Sequence, residues 1–228
     1  MTAQLKTAGY SRRNPSPRYT ELTALYRSMH REGDVQNNIA PEHTFPGQSV
    51  IPQAAQIKQW IEKTGAKTIL DYGSGKGLQY ETELKKKDGS ASWPSVKAYW
   101  GTQVQCYDPS YPPFSTLPEG TFDGVICTDV LEHCPEEDMP WIIDEIFSYA
   151  RKFVFANAAC YAAKKTLPNG ENAHCTIRPA AWWAELVKVI GDRHPAVAYL
   201  FLVQHIVPSP NGPQMQVMAL RKDGSRTR

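Results

Sequence analysis

The stretch Thr68-Ile-Leu-Asp-Tyr-Gly-Ser-Gly-Lys-Gly77 decides how the rest of the chain is read. A short apolar run ends in Asp71, and Gly73, Gly75 and Gly77 then alternate through a turn. A strand entering a glycine turn that opens a helix begins a parallel α/β unit. Its glycines remove the side chains that would keep a ligand from bare backbone. The dinucleotide pattern G-x-G-x-x-G needs glycine where Leu78 stands, and the P-loop needs Gly at 70 and Ser or Thr at 77, where Leu70 and Gly77 stand. Both phosphate-gripping readings, and an NAD-linked oxidoreductase with them, fail at defining positions.

Working outward, the pattern alternates strands and helices. Toward the N-terminus, Leu22, Leu25, Tyr26 and Met29 share one helical face in Thr20–Arg31, and Ala54, Ile57, Trp60 and Ile61 share another in a helix from near Pro52 to Gly65. Phe45-Pro-Gly-Gln-Ser49 between them is placed to act as a lid. Toward the C-terminus, a helix is expected from Leu78 to Lys87, a loop over Asp88–Pro94, and strands over Thr102–Tyr107, Phe122–Thr128 and Arg151–Ala156. Helices follow at Asp138–Ala150 and Pro179–Ile190, and two strands, Val197–Val207 and Gln214–Leu220, flank the turn Ser-Pro-Asn-Gly-Pro. This order implies a mostly parallel α/β sheet with an antiparallel C-terminal hairpin.

Two further features close the pattern. Asp108 ends the second strand, where a carboxylate can accept from both hydroxyls of a ribose. Phe122-Asp-Gly-Val-Ile-Cys-Thr-Asp-Val-Leu-Glu-His133 then begins 14 residues after Asp108. On the glycine turn, Asp108 and this segment, residues 67–157 resemble the class I S-adenosylmethionine-dependent methyltransferases, small-molecule type with a V-L-E-H motif and a shortened middle region. The resemblance implies a Rossmann-like fold with N-terminal lid helices and S-adenosyl-L-methionine as cofactor. It places Asp71, Tyr72, Gly73, Ser74, Gly75 and Gly77 around the methionine end, Asp108 and Pro109 at the ribose, and Thr128 and Asp129 beside the cofactor. A carboxylate suits the cofactor's cationic sulfonium and ammonium, where a phosphate site would want positive charge.

Asp129, Glu132 and His133 form D-x-x-E-H, similar to the E-x-x-E-H cluster by which some O-methyltransferases hold a divalent metal. His174, in Asn169-Gly-Glu-Asn-Ala-His174, is the candidate fourth ligand. Asp in place of the first Glu and an incomplete ligand count weigh against a metal. Without one, Glu132, His133 and His174 are the catalytic candidates, with an imidazole as general base. Asp108-Pro-Ser-Tyr111 also resembles the (D/N)-P-P-(Y/F) motif of nucleic-acid amino-methylating enzymes, but Ser110 replaces the proline and the segment follows the second strand rather than the fourth.

Charge bears on the acceptor. The 228 residues carry net charge +2, yet residues 1–18 hold four cations and no acid, and residues 221–228 hold a further +3, leaving −5 on the body between them. A body tracking a phosphate backbone is usually basic. A small-molecule acceptor is therefore preferred to nucleic acid reached by basic tails, and a non-catalytic cofactor-binding scaffold is the third reading. Residues 1–18 and 221–228 are read as flexible, 19–66 as a helical lid region and 67–220 as the cofactor-binding domain. Five cysteines without C-x-x-C suit free thiols in a reducing compartment, so the cytoplasm is expected, and the longest apolar stretch is too short to span a membrane. The oligomeric state has no signature.

Overall fold

The computed structural model describes residues 9–85, 89–210 and 212–223. Its elements are α1 (Pro17–Glu32), α2 (Ala54–Thr64), β1 (Thr68–Tyr72), the short pair β2 (Leu84–Lys85) and β3 (Ser92–Trp93), α3 (Val96–Trp100), β4 (Gln103–Tyr107), β5 (Phe122–Cys127), α4 (Met139–Tyr149), β6 (Ala150–Ala159), α5 (Ala180–Gly191), β7 (Ala198–Val207) and β8 (Gln214–Lys222). The main sheet has six strands in the order β4-β1-β5-β6-β7-β8. All neighbours are parallel except β7 and β8, which form the antiparallel C-terminal hairpin. This is a Rossmann-like α/β fold, as the alternation of elements implied.

Local chemistry sets the element ends. Ser16 caps α1 by accepting from Tyr19 N–H, Pro17 supplies a preset φ at the first turn, and Gly33 closes it at φ 88°. Gly65 ends α2 at φ 61°. Alternation along the strands then divides the core. Ile69, Ile126, Phe153 and Phe155 pack under α2, while Leu70, Val125, Val154 and Phe201 pack under α4 and α5. Trp183 of α5 is fully buried, whereas Trp182 is only partly so, which settles which of the pair faces the core. Trp183→Ala is expected to cost about 3–5 kcal/mol in chemical denaturation, because the void lies among packed strands. A loss below about 1 kcal/mol would mean that the layer collapses around the hole.

Three expectations differ from the structure. In the described part of the helix expected over Leu78–Lys87 there is a single 3-10 turn, Leu78–Tyr80, followed by β2, and residues 86–87 lie outside the described residues. Gln79 and Tyr80 are both drawn inward to Asp71, and two consecutive side chains aimed at one buried acid stop the helix from continuing. The loop expected at Asp88–Pro94 contains β3, and α3 follows it, capped by Ser95 and closed by Gly101. The third concerns the N-terminal segment expected to be flexible. In its described part, residues 9–18, Arg12 Nε donates to Glu145 at 2.9 Å, its guanidinium also pairs with Tyr72, and it lies 4.7 Å from the Trp141 ring centroid. Ser16 N donates to the buried Asp138 at 3.0 Å. Likewise Arg221 and Lys222, expected in a flexible tail, end β8. Among the described residues no helix is long and apolar enough to cross a membrane.

Candidate active site

The chain leaves β1 toward β4 on one side and returns to β5 on the other. The carboxyl ends of β1, β4 and β5 therefore frame a topological switch point, the crevice where open α/β sheets bind ligands. A cavity of about 880 Å³ opens there. Its floor includes Tyr72, Gly73, Gly75, Asp108, Pro109, Thr128, Asp129, Val130 and His133, and its roof includes Tyr19, Leu22, Tyr26 and His30 of α1 and residues 45–49. His174 reaches it from the segment after β6. That volume suits a cofactor-sized ligand with room for a second small molecule.

The glycine turn works in two directions. Gly73, Gly75 and Gly77 all have positive φ, at 87°, 58° and 65°. A Cβ on Gly75 would lie 2.4 Å from Phe45 O, so the bare backbone is approached by the chain's own residues as well as by the cavity. Phe45 O accepts from Lys76 N–H at 2.8 Å, Pro46 O accepts from Leu78 N–H at 2.9 Å, and Ser49 Oγ lies 3.1 Å from Thr128 O. Residues 45–49 thus form a strap from the glycine turn to the tip of β5, where the sequence placed a lid.

Asp108 lines the cavity and is half-buried. Its carboxylate accepts from Gly75 N–H at 3.0 Å and Ser110 N–H at 2.8 Å. Burial raises its pKa, with those amides opposing. Asp71 sits elsewhere. Strand alternation turns it to the α2 side, where it accepts from Tyr80 Oη at 2.8 Å and Gln79 Nε2 at 3.2 Å, so Asp71, with Ser74 and Gly77, is not part of the cavity wall. Tyr72, next in the strand, points to the other face and lines the cavity.

Asp71 carries a pH signature. Burial pushes its carboxyl up to about 7, with the Tyr80 hydroxyl opposing and Asp108 adding. A folded pKa above the unfolded value means that the folded state holds the extra proton, so this group's stabilisation falls as pH rises from about 4 through 7. Asp71→Asn is expected to flatten the fall in unfolding free energy over that window, by an amount on the order of 4 kcal/mol. Parallel curves for the two proteins in urea titrations across pH would refute it.

The second half of the site is the cluster at the tip of β5. Asp129, Glu132, His133 and His174 each offer a ligand atom, and these atoms lie within 4.8 Å of one another. Asp129 holds a left-handed φ of 60°, a conformation non-glycine residues rarely adopt, which turns its carboxylate to the cavity. His133 Nδ1 is 2.9 Å from Ala173 O and 2.7 Å from Tyr26 Oη, and His174 Nδ1 is 2.6 Å from Tyr161 O. A carbonyl can only accept, so both imidazoles carry their proton on Nδ1 and keep a bare Nε2. Burial lowers the His133 pKa to about 4, Asp129 opposing and His174 adding, which keeps the ring neutral. Glu132 is fully buried. Its Oε1 accepts from Ala159 N–H at 3.1 Å, but Oε2 has no partner. Burial, with Asp129 adding, pushes its carboxyl up to about 8.

A buried carboxylate oxygen without a donor, a second carboxylate beside it and two imidazoles anchored through Nδ1 to backbone carbonyls fit a divalent cation of the Mn, Fe or Zn kind. The sequence named His174 as the candidate fourth ligand but could not bring it to the other three. The fold brings His174 in because the segment after β6 returns to the β5 tip, with Thr176 N donating to Glu132 O at 3.0 Å. Tyr26, which the sequence placed only on the apolar face of the first helix, joins α1 to the cluster.

No family model matches the chain, and no curated protein does. Among solved structures, it is similar to the 1,6-didemethyltoxoflavin-N1-methyltransferase of Burkholderia thailandensis, determined with 1,6-didemethyltoxoflavin and S-adenosylhomocysteine bound. The identity is 18%, 92% of each chain is covered and the TM-score is 0.47. An O-methyltransferase family protein, also from Burkholderia thailandensis, is 12% identical with a TM-score of 0.45, covering 92% of this chain and 68% of its own. At these identities the likeness concerns the path of the chain alone.

Proposed function

We propose that the protein is an S-adenosylmethionine-dependent methyltransferase acting on an oxygen or nitrogen of a small-molecule acceptor, with a divalent cation held by Asp129, Glu132, His133 and His174. The observation that carries the reading is Asp108. A half-buried carboxylate at the tip of the strand beside the glycine turn, lining a switch-point cavity, is the group a ribose diol requires. The cofactor would supply an electrophilic methyl on a sulfonium, and the cation would supply Lewis acidity toward an acceptor oxygen.

The chain's own residues do the rest. Gly73 and Gly75 present bare backbone to the cavity, and the strap 45–49 together with α1 excludes water from above. Acceleration then comes largely from alignment of the reacting atoms in a closed site. With the cation bound, Asp129, Glu132, His133 and His174 would be occupied as ligands; without it, the Nε2 atoms of His133 and His174 would be the groups able to take a proton from an acceptor.

Nucleic acid is the weaker acceptor reading because two of the N-terminal cations are engaged. Arg12 is paired with Glu145, and Arg18 with Glu21 and Glu171. Calorimetric titration with S-adenosylhomocysteine, without and with Mn²⁺, tests the function. Micromolar binding is expected. No heat at millimolar ligand would sink the cofactor reading and favour a scaffold.

A further inference from the structure

β8 is an edge strand unlike the other edge of the sheet. β4 is five residues long, and the chain folds back beside its end, Asp108 N donating to Phe114 O at 3.0 Å. β8 pairs with β7 along nine residues without a register shift. From Gln214 to Ala219 its side chains are exposed on both faces of the sheet. Met215 is 50% exposed, Val217 53% and Met218 38%. The strand lacks the devices that blunt a free edge: there is no charge from Gln214 to Leu220, no proline and no bulge.

We infer that β8 pairs antiparallel with β8 of a second copy of this chain, across a twofold axis at Met218, joining the two six-stranded sheets into one. Charge selects this arrangement. Arg221 and Lys222 are the strand's only charges and stand at one end. A parallel pairing would stack each cation on its own mate, whereas the twofold places them at opposite ends. Centring on Met218 also pairs all nine residues.

The register is consistent on both faces. Arg221 lies 5.7 Å from the Trp60 ring centroid, which puts Met215, Val217 and Ala219 on the α2 face with it. There Val217 meets Ala219 of the other copy, and Met215 meets the aliphatic stem of its Arg221. Lys222 Nζ donates to Gly191 O of α5, so Gln216 and Met218 lie on that face, where Met218 meets itself and Gln216 meets Leu220. Met215 and its β7 partner Ile206 also line the active-site cavity, so the second copy's Arg221 would stand at the rim of the site. The inference rests on the sheet alone and stands whether or not the proposed activity does.

Sedimentation equilibrium of the full chain at high micromolar concentration is expected to give twice the chain mass for the wild type and the single-chain mass for Val217→Lys, with unchanged near-ultraviolet circular dichroism. Under mild oxidation with glutathione disulfide, Met218→Cys is expected to crosslink across the axis. Residues facing each other in an antiparallel pair have Cα atoms about 4.5–5.5 Å apart, within disulfide reach. Gln214→Cys would stand eight residues from its own mate, about 26 Å along the strand, and is expected to stay uncrosslinked. A wild-type protein of single-chain mass overturns the inference. So does a dimer that survives Val217→Lys, or crosslinking at 214 in place of 218.

Discussion

Asp108→Asn is expected to bind S-adenosylhomocysteine at least about 30-fold more weakly than the wild type. Two effects add. A carboxylate accepting from two hydroxyls makes charge-assisted hydrogen bonds worth roughly 1.5–3 kcal/mol each, and an amide offers one acceptor where two are needed. Asp108 also holds the turn that forms the pocket, through Gly75 N–H at 3.0 Å and Ser110 N–H at 2.8 Å. An Asn nitrogen would face one of those donors. Calorimetry with a thermal-melt control separates lost affinity from lost folding. Affinity equal to wild type in a folded variant would remove Asp108 from the cofactor site.

Glu132→Gln moves two measurements in opposite directions. The amide keeps the acceptor for Ala159 N–H and replaces the unpartnered Oε2 by a donor facing Asp129. Metal-free protein should therefore gain about 1–3 kcal/mol, the cost of an unsatisfied buried polar atom. The gain depends on pH with a definite sign. The Glu132 carboxyl is pushed up to about 8, so the folded wild type holds a proton that the unfolded chain releases above about 4.5. Wild-type stability falls across that window, and the advantage of the variant grows toward pH 8. Mn²⁺ affinity, read by the electron spin resonance of the free ion, should drop at least about 100-fold, since direct ligand loss exceeds the 10–100-fold cost of losing an outer-sphere partner. Saturating Mn²⁺ should then raise the melting temperature of the wild type and leave the variant unmoved. A variant less stable than wild type without metal, with Mn²⁺ binding unchanged, would make the cluster a structural network.

Much of the site was legible because local spacing encodes it. The strand-turn pattern of Thr68–Gly77 and the acid ending β4 are neighbours in sequence before they are neighbours in space, so residue type and interval were enough to place Gly73, Gly75 and Asp108 on the cavity. Asp71 was harder. Its motif position is equally clear, but whether a strand residue faces the ligand or the layer behind depends on the pleat and on what fills that layer, here Gln79 and Tyr80. The same pull on Gln79 and Tyr80 ended the helix expected there. Arg12 misled for a related reason. A lone arginine in a Pro- and Ser-rich segment carries no periodic signal, and only Glu145, Tyr72 and Trp141 from distant elements reveal a buried partner set.

By itself the sequence determined the parallel α/β order, the glycine turn, the acid that ends β4, and Asp129, Glu132 and His133 side by side, with His174 as a further candidate. These follow from periodicities of 2.0 and 3.6 and from residue intervals within single elements. Only the tertiary structure decided that His174 completes the cluster, that both imidazoles leave Nε2 bare, that Glu132 keeps an unpaired oxygen, and that β8 ends the sheet with both faces open. Each of those depends on which backbone carbonyls and side chains from remote segments arrive at one point, and the interval between residues along a chain does not encode that distance.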